Sequence, residues 1–142
     1  MHDRKNVIEQ LEKDDPYESF IWDGQASLLD EYLKLRPQDK ERIQQLVQQG
    51  KLIIGPWYTQ TDQLVISGES IVRNMLYGMK ICEAFGTYMN VGYVPDSFGQ
   101  AASMPQIYRE FGITDTMFWR GVSDDDVKCT EYKWRGEDGS VV

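Results

Sequence analysis

Residues Gly92–Gln100 read GYVPDSFGQ. A short apolar run, Val91 to Val94, is cut by Pro95, and an aspartate follows before a Ser-Phe-Gly turn. Pro at that point ends a strand, because it removes the ladder donor. The reading of this stretch decides the fold, since a strand here needs partners of the same kind on either side of it in sequence.

Such partners are present. SFIW, Ser19 to Trp22, is a strand stopped by Asp23-Gly24, and Lys51 to Ile54 is a second one ended by Gly55-Pro56. Thr114 to Trp119 is a further strand, closed by Arg120-Gly121. Between them lie helical patterns. Val7, Ile8 and Leu11 mark a helix from Asn6 to Lys13 that ends before Pro16. Leu28, Leu29, Tyr32, Leu33 and Leu35 mark a second, and Pro37 opens a third that stops at Gly50. Ser67-Gly68-Glu69-Ser70 caps a longer helix to about Phe85, with Ile71, Val72, Met75, Leu76, Met79 and Ile81 inward and its Met and aromatic positions in the core. A short helix spans Met104 to Phe111, and Glu131–Arg135 with Ser140–Val142 reads as a hairpin. The fold class is therefore α/β, parallel strands alternating with helices. The C-terminal ends of the strands are expected to share one edge of a sheet, where ligands of such folds bind.

Composition sets outer bounds. Of 142 residues, 41% are hydrophobic and 27% charged, enough for a core and against disorder. The formal net charge of -8 argues against nucleic acid or an anionic membrane as partner. No apolar run approaches the roughly 20 residues that span a bilayer. The N-terminal stretch MHDRKNVIEQLEKDD is no signal peptide, and two widely spaced cysteines suit reduced thiols, so the expected location is the cytoplasm. The one histidine is His2, which leaves the chain without a His-rich metal site of its own.

Four loops begin at the predicted strand ends. Asp96 carries a carboxylate there that suits a nucleophile, a base or a metal ligand; it equally suits a cap for the turn Asp96–Gly99. Trp57, Tyr58, Gln60 and Asp62 offer aromatic faces, amides and a carboxylate that match a sugar ring, or else a loop packed on its own aromatics. Asp23 and Gln25 follow the same logic more weakly, with capping of the helix at Ser27 the simpler role. Arg120 either steadies an acidic cleft or forms a surface ion pair. Asp124-Asp125-Asp126 reads as a solvated loop.

Taken together, Asp23-Gly24-Gln25, GPWYTQTDQLVISGESIVRN from Gly55 to Asn74, GYVPDSFGQAASMPQIYREFGI from Gly92 to Ile113, and Phe118-Trp119-Arg120-Gly121 resemble the catalytic domain of bacterial α-mannosidases of glycoside hydrolase family 38. The resemblance covers the chain from about Pro16 to Val142. It implies part of a distorted β/α barrel of the glycoside hydrolase and deacetylase type. It also implies cleavage of terminal α-linked mannose with retention, on a zinc ion held by two histidines and two aspartates. The family's nucleophile, itself a zinc ligand, maps to Asp96; Arg120 maps beside it, and Trp57 and Asp62 map to a loop near the pocket. The family's His-x-Asp strand has no counterpart, because His2-Asp3 lacks its spacing, and the remaining ligand and the acid/base carboxyl fall after Val142. The expectation is a partial catalytic domain over residues 1–142, inactive alone, with the rest of the parent enzyme and an α-mannoside as partners. Uncovered edges would favour self-association. A non-catalytic carbohydrate-binding or interaction domain, and a different hydrolase or deacetylase, are the alternatives.

Overall fold

A computed structural model describes residues 2–13 and 17–142, with side chains described from Val7 onward. Pro16 and the side chain of His2 lie outside the described residues; the first helix ends at Leu11, ahead of Pro16 as expected. The element order is α1 (His2–Leu11), β1 (Phe20–Ile21), α2 (Ala26–Leu35), a 3-10 turn (Pro37–Asp39), α3 (Lys40–Gln48), β2 (Leu52–Ile53), α4 (Gly68–Glu83), β3 (Gly92–Tyr93), α5 (Met104–Glu110) and β4 (Thr116–Met117). Helices thus alternate with strands as the pattern requires. The chain divides into two compact units, Met1–Thr59 with Met75–Met89, and Gln60–Asn74 with Asn90–Val142.

In the first unit β1 and β2 pair in parallel, Phe20 with Leu52 and Ile21 with Ile53. The core beneath them is helical. Ala26, Leu29 and Tyr32 of α2 and Ile43, Leu46 and Val47 of α3 recur at three- and four-residue spacing and are buried. Each buried aliphatic side chain of this kind contributes roughly 1.5–3 kcal/mol. Leu35, expected on the same face, is exposed at the end of α2. Along α4 the buried positions Ile71, Met75, Met79 and Cys82 form one stripe. Leu76 and Tyr77 fall off that stripe and are exposed, against expectation; Tyr77 packs edge-on to Tyr58 at 4.8 Å instead. Ser67 caps α4 as anticipated, its Oγ accepting the Ser70 amide at 3.2 Å.

In the second unit β3 and β4 pair in parallel, Gly92 with Thr116 and Tyr93 with Met117. Tyr108 of α5 fills the space over Gly92, where a Cβ would meet its ring at 2.6 Å. The expected C-terminal hairpin is present in a narrow form. Arg135 and Val141 make a single antiparallel bridge, and Trp134 and Val142 exchange amide hydrogen bonds at 2.9 and 3.1 Å.

A single four-stranded sheet is not what forms among the described residues: the four strands make two separate parallel pairs of two residues each. The β1–β2 ladder is short because the chain leaves the extended form early, at Asp23-Gly24 after β1 and at Gly55 after β2, all three at positive φ. No helix among the described residues is long and apolar enough to cross a membrane.

Candidate active site

The second unit builds its acidic site from two loops that leave β3 and β4 side by side. Val94 continues the ladder with an amide bond to the Met117 carbonyl at 2.9 Å. Three residues beyond the paired Tyr93 and Met117 stand Asp96 and Arg120, and Arg120 Nε donates to Asp96 Oδ1. The pair faces water: the side chains are 65% exposed for Asp96 and 46% for Arg120. The guanidinium also lies over the ring of exposed Phe98, 5.0 Å from its centroid.

The Asp96–Gln100 loop is fastened from one side by residues 61–63. Ser97 Oγ donates to the Thr61 carbonyl at 2.7 Å, and the Phe98 amide donates to Asp62 Oδ1 at 2.8 Å. Gln63, buried, accepts from the Ala101 amide at 2.9 Å and donates to Gln100 Oε1 at 3.1 Å. On the other side, Gly121 presses on Gly99 so closely that a Cβ at 121 would stand 2.5 Å from the Gly99 backbone. Both glycines have positive φ, 88° and 85°.

The turn-capping role considered for Asp96 therefore belongs to Asp62. Asp96 is left to face Arg120 and solvent. Asp62 shapes the loop through the Phe98 amide. Trp57 belongs to the first unit and is fully buried, so it offers no face for stacking and takes the packed-loop alternative. Its backbone is zipped to the loop after β1: it donates to the Gly24 carbonyl at 3.2 Å, and the Ala26 amide donates to the Trp57 carbonyl at 2.8 Å. The Ser27 amide donates to the Tyr58 carbonyl at 2.8 Å. Thus the first amides of α2 are satisfied by main-chain carbonyls, and the expected side-chain cap is absent. Gln25 instead donates to Asp23 Oδ2 at 2.6 Å and accepts from Thr59 Oγ1 at 3.0 Å. Asp124–Asp126 is an exposed turn, closed by Ser123 Oγ donating to Asp126 at 2.9 Å.

Phe98, Gln63 and Gln100 were not singled out by the residue pattern. The signal for Phe98 was its place two residues after a candidate carboxylate. Amides such as Gln63 give none, because burial decides their role and a local sequence does not show it.

Among the described residues no three His, Cys, Asp or Glu side chains gather as a metal ion would need. Asp96 is one carboxylate, and one ligand does not hold a zinc ion. The residues present do not fit a zinc site by themselves.

The sequence profile described as the Glycosyl hydrolases family 38 N-terminal domain matches residues 2–142. The chain belongs to glycosyl hydrolase family 38. It is 36% identical to a protein of Halalkalibacterium halodurans named "Putative mannosylglycerate hydrolase", over 96% of this chain and 17% of that protein. It is 34% identical to Alpha-mannosidase G of Dictyostelium discoideum, over 75% of this chain and 10% of the relative. A crystal structure of an alpha-mannosidase from Enterococcus faecalis V583 superposes with a TM-score of 0.91 at 38% identity, covering 98% of this chain and 16% of that one. This family 38 chain thus spans about one sixth of the length of these bacterial relatives, and its mixed helix and parallel-strand fold matches the Enterococcus structure over that span.

Proposed function

We propose that this family 38 chain is part of the catalytic domain of a longer retaining α-mannosidase, with Asp96 as its nucleophile. One observation carries the reading: an exposed carboxylate just past the end of a parallel strand, held at one oxygen by an arginine from the loop that leaves the neighbouring strand. In the proposed reaction a carboxylate oxygen of Asp96 attacks the anomeric carbon of a terminal α-mannoside. The glycosidic bond breaks, and the departing oxygen takes a proton from a second carboxyl supplied by the longer protein. Water activated by that second group then cleaves the mannosyl ester and restores Asp96, with net retention. Arg120 fixes the direction of the Asp96 carboxylate, and Phe98 backs Arg120.

In this reading residues 1–142 are a partial domain within a distorted β/α barrel, a placement supported by the two parallel strand pairs with helices between them. Zinc belongs to the parent enzyme; Asp96 would be one of its ligands and the others would come from the longer chain. Two free thiols, Cys82 and Cys129, accord with the cytoplasm. Exposed Phe20 and Ile21 on β1 give the isolated chain an apolar edge for self-association, which sedimentation at rising concentration checks. The name of the Halalkalibacterium relative makes a mannoside of a small hydroxy acid a substrate to try beside an aryl α-mannoside.

The test is turnover of an aryl α-mannoside by the full-length protein. Asp96→Asn should lower kcat by at least ~10⁴-fold, and a slow fluorinated mannosyl donor should leave one glycosyl group on the peptide that contains Asp96. The isolated chain should show neither turnover nor tight zinc binding. Wild-type turnover in Asp96→Asn would refute the assignment.

A further inference from the structure

We infer that Gln63 is a positioning residue for Arg120, acting through Gln100; this rests on the proposed role of Asp96. Gln63 is 3% exposed. A buried amide must find partners for both of its ends. Its Oε1 accepts from the Ala101 amide at 2.9 Å and its Nε2 donates to Gln100 Oε1 at 3.1 Å. Gln100 Nε2 in turn donates to the main-chain carbonyl of Arg120 at 3.2 Å.

The direction of this relay is forced at both ends. A backbone amide only donates and a backbone carbonyl only accepts. With Ala101 N–H at one end and Arg120 C=O at the other, each glutamine has one orientation that satisfies every bond. Flipping Gln63 opposes its amide nitrogen to the Ala101 N–H and its oxygen to Gln100 Oε1, so both of its bonds are lost. The chain of bonds is therefore a defined link from the loop that carries Gln63 to the residue opposite Asp96.

Arg120 needs that link. Its side chain is long and half exposed, so where the guanidinium can reach depends on where the main chain of Arg120 is held. The loop after β3 grips it at three points: Asp96 at Nε, the Phe98 ring under the guanidinium, and Gln100 at the carbonyl. Only the last of these holds the main chain. If the carbonyl grip is lost, Arg120 and Asp96 shift relative to each other, and a shift of an ångström at a reacting group costs up to about 100-fold in rate.

The experiment uses the full-length protein and an aryl α-mannoside, with Gln63→Met, Gln100→Met, the double variant and Asp96→Asn. Methionine keeps the length of the side chain and removes the hydrogen bonds. The expected result is a roughly 10–100-fold fall in kcat for each single variant, with KM within about twofold of wild type. The double variant should be no slower than the slower single, because the two residues act on one link. Gln100 is only half-buried, so its variant folds even if Gln63→Met does not. If Asp96→Asn is inactive but Gln100→Met keeps wild-type kcat, the relay is overturned. A rise in KM at unchanged kcat overturns it as well. Wild-type turnover in Asp96→Asn refutes instead the reading of the site on which the relay depends.

Discussion

Asp96 and Arg120 are 24 residues apart, the same offset that pairs Gly92 with Thr116 and Tyr93 with Met117. The ion pair therefore continues the register of β3 and β4 beyond the last ladder residues. In a parallel pair, equal steps from paired residues stay opposite each other while both chains run alike. The first unit does the same: Gln25 and Trp57 form a parallel bridge at the offset that pairs Phe20 with Leu52. Strands of two residues thus fix the facing of loops several residues downstream.

The two loops can run alike only because Gly99 and Gly121 touch. Gly121→Ala is expected to destabilise the second unit by about 1–3 kcal/mol, through positive φ and a Cβ 2.5 Å from the Gly99 backbone. Urea unfolding reads the loss. Gly139→Ala shares the positive φ but has nothing within 4 Å, so it should cost less, which separates the packing from the backbone strain.

Gly78 is a glycine in the middle of α4, where alanine would ordinarily add up to about 1 kcal/mol. Here a Cβ would stand 2.2 Å from the Trp57 carbonyl carbon and 2.3 Å from the Tyr58 nitrogen. Backbone cannot yield as a side-chain tip can. Gly78→Ala is expected to cost about 3 kcal/mol or more, the upper range of overpacking, with a matching drop in the urea midpoint. A neutral or stabilising result would show that the Trp57 loop is not packed on α4 as described.

The helices and the strand order were legible because periodicity is a local property: Ile43, Leu46 and Val47 announce α3 on their own. The Asp96–Arg120 site was legible as two strand ends, since Pro95 and Gly121 punctuate both. For Trp57 the local sequence leaves a sugar-facing ring and a packed loop both open, because an aromatic in a polar loop suits either. Its burial depends on Gly78, twenty-one residues away, which gives no local sign. Leu76 and Tyr77 are apolar, which points them to the core, but they lie off the helical phase of Ile71, Met75 and Met79, and phase decides. The single sheet expected from four strands became two pairs, since alternation of strands and helices says that strands are parallel without saying which ladders close.

Asp39 gives the first unit a pH signature. Its burial raises the cost of ionising, but hydrogen bonds from Tyr32 at 2.7 Å and from Arg36 and Arg42 at 2.9 Å outweigh it, and its pKa falls from 3.8 to about 2. A depressed folded pKa means stability that is present above about pH 4 and lost as pH falls toward 2, roughly 2 kcal/mol in all. At the other end of the same bond, burial and then Asp39 raise Tyr32 from 10.0 to about 12. That contribution is present below pH 10 and is lost as pH climbs toward 12. Denaturation midpoints against pH should therefore fall on both flanks, and Tyr32→Phe should remove the alkaline component while leaving most of the acid one.

The two cysteines should separate by reactivity. Burial, then the nearby charge of Glu83, pushes the Cys82 thiol from 9.0 to about 12, and the residue is fully covered. Thiolate is the reacting species in alkylation, so Cys82 is doubly protected. Cys129 is exposed beside the Glu131 carbonyl. Iodoacetamide at pH 8 should label Cys129 first and reach Cys82 only as the first unit opens. The Cys82 rate then reports that opening, and Gly78→Ala, which strains the same unit, should accelerate it while leaving the Cys129 rate unchanged. Equal labelling of both thiols in the native protein would contradict the burial of Cys82 on the inner face of α4.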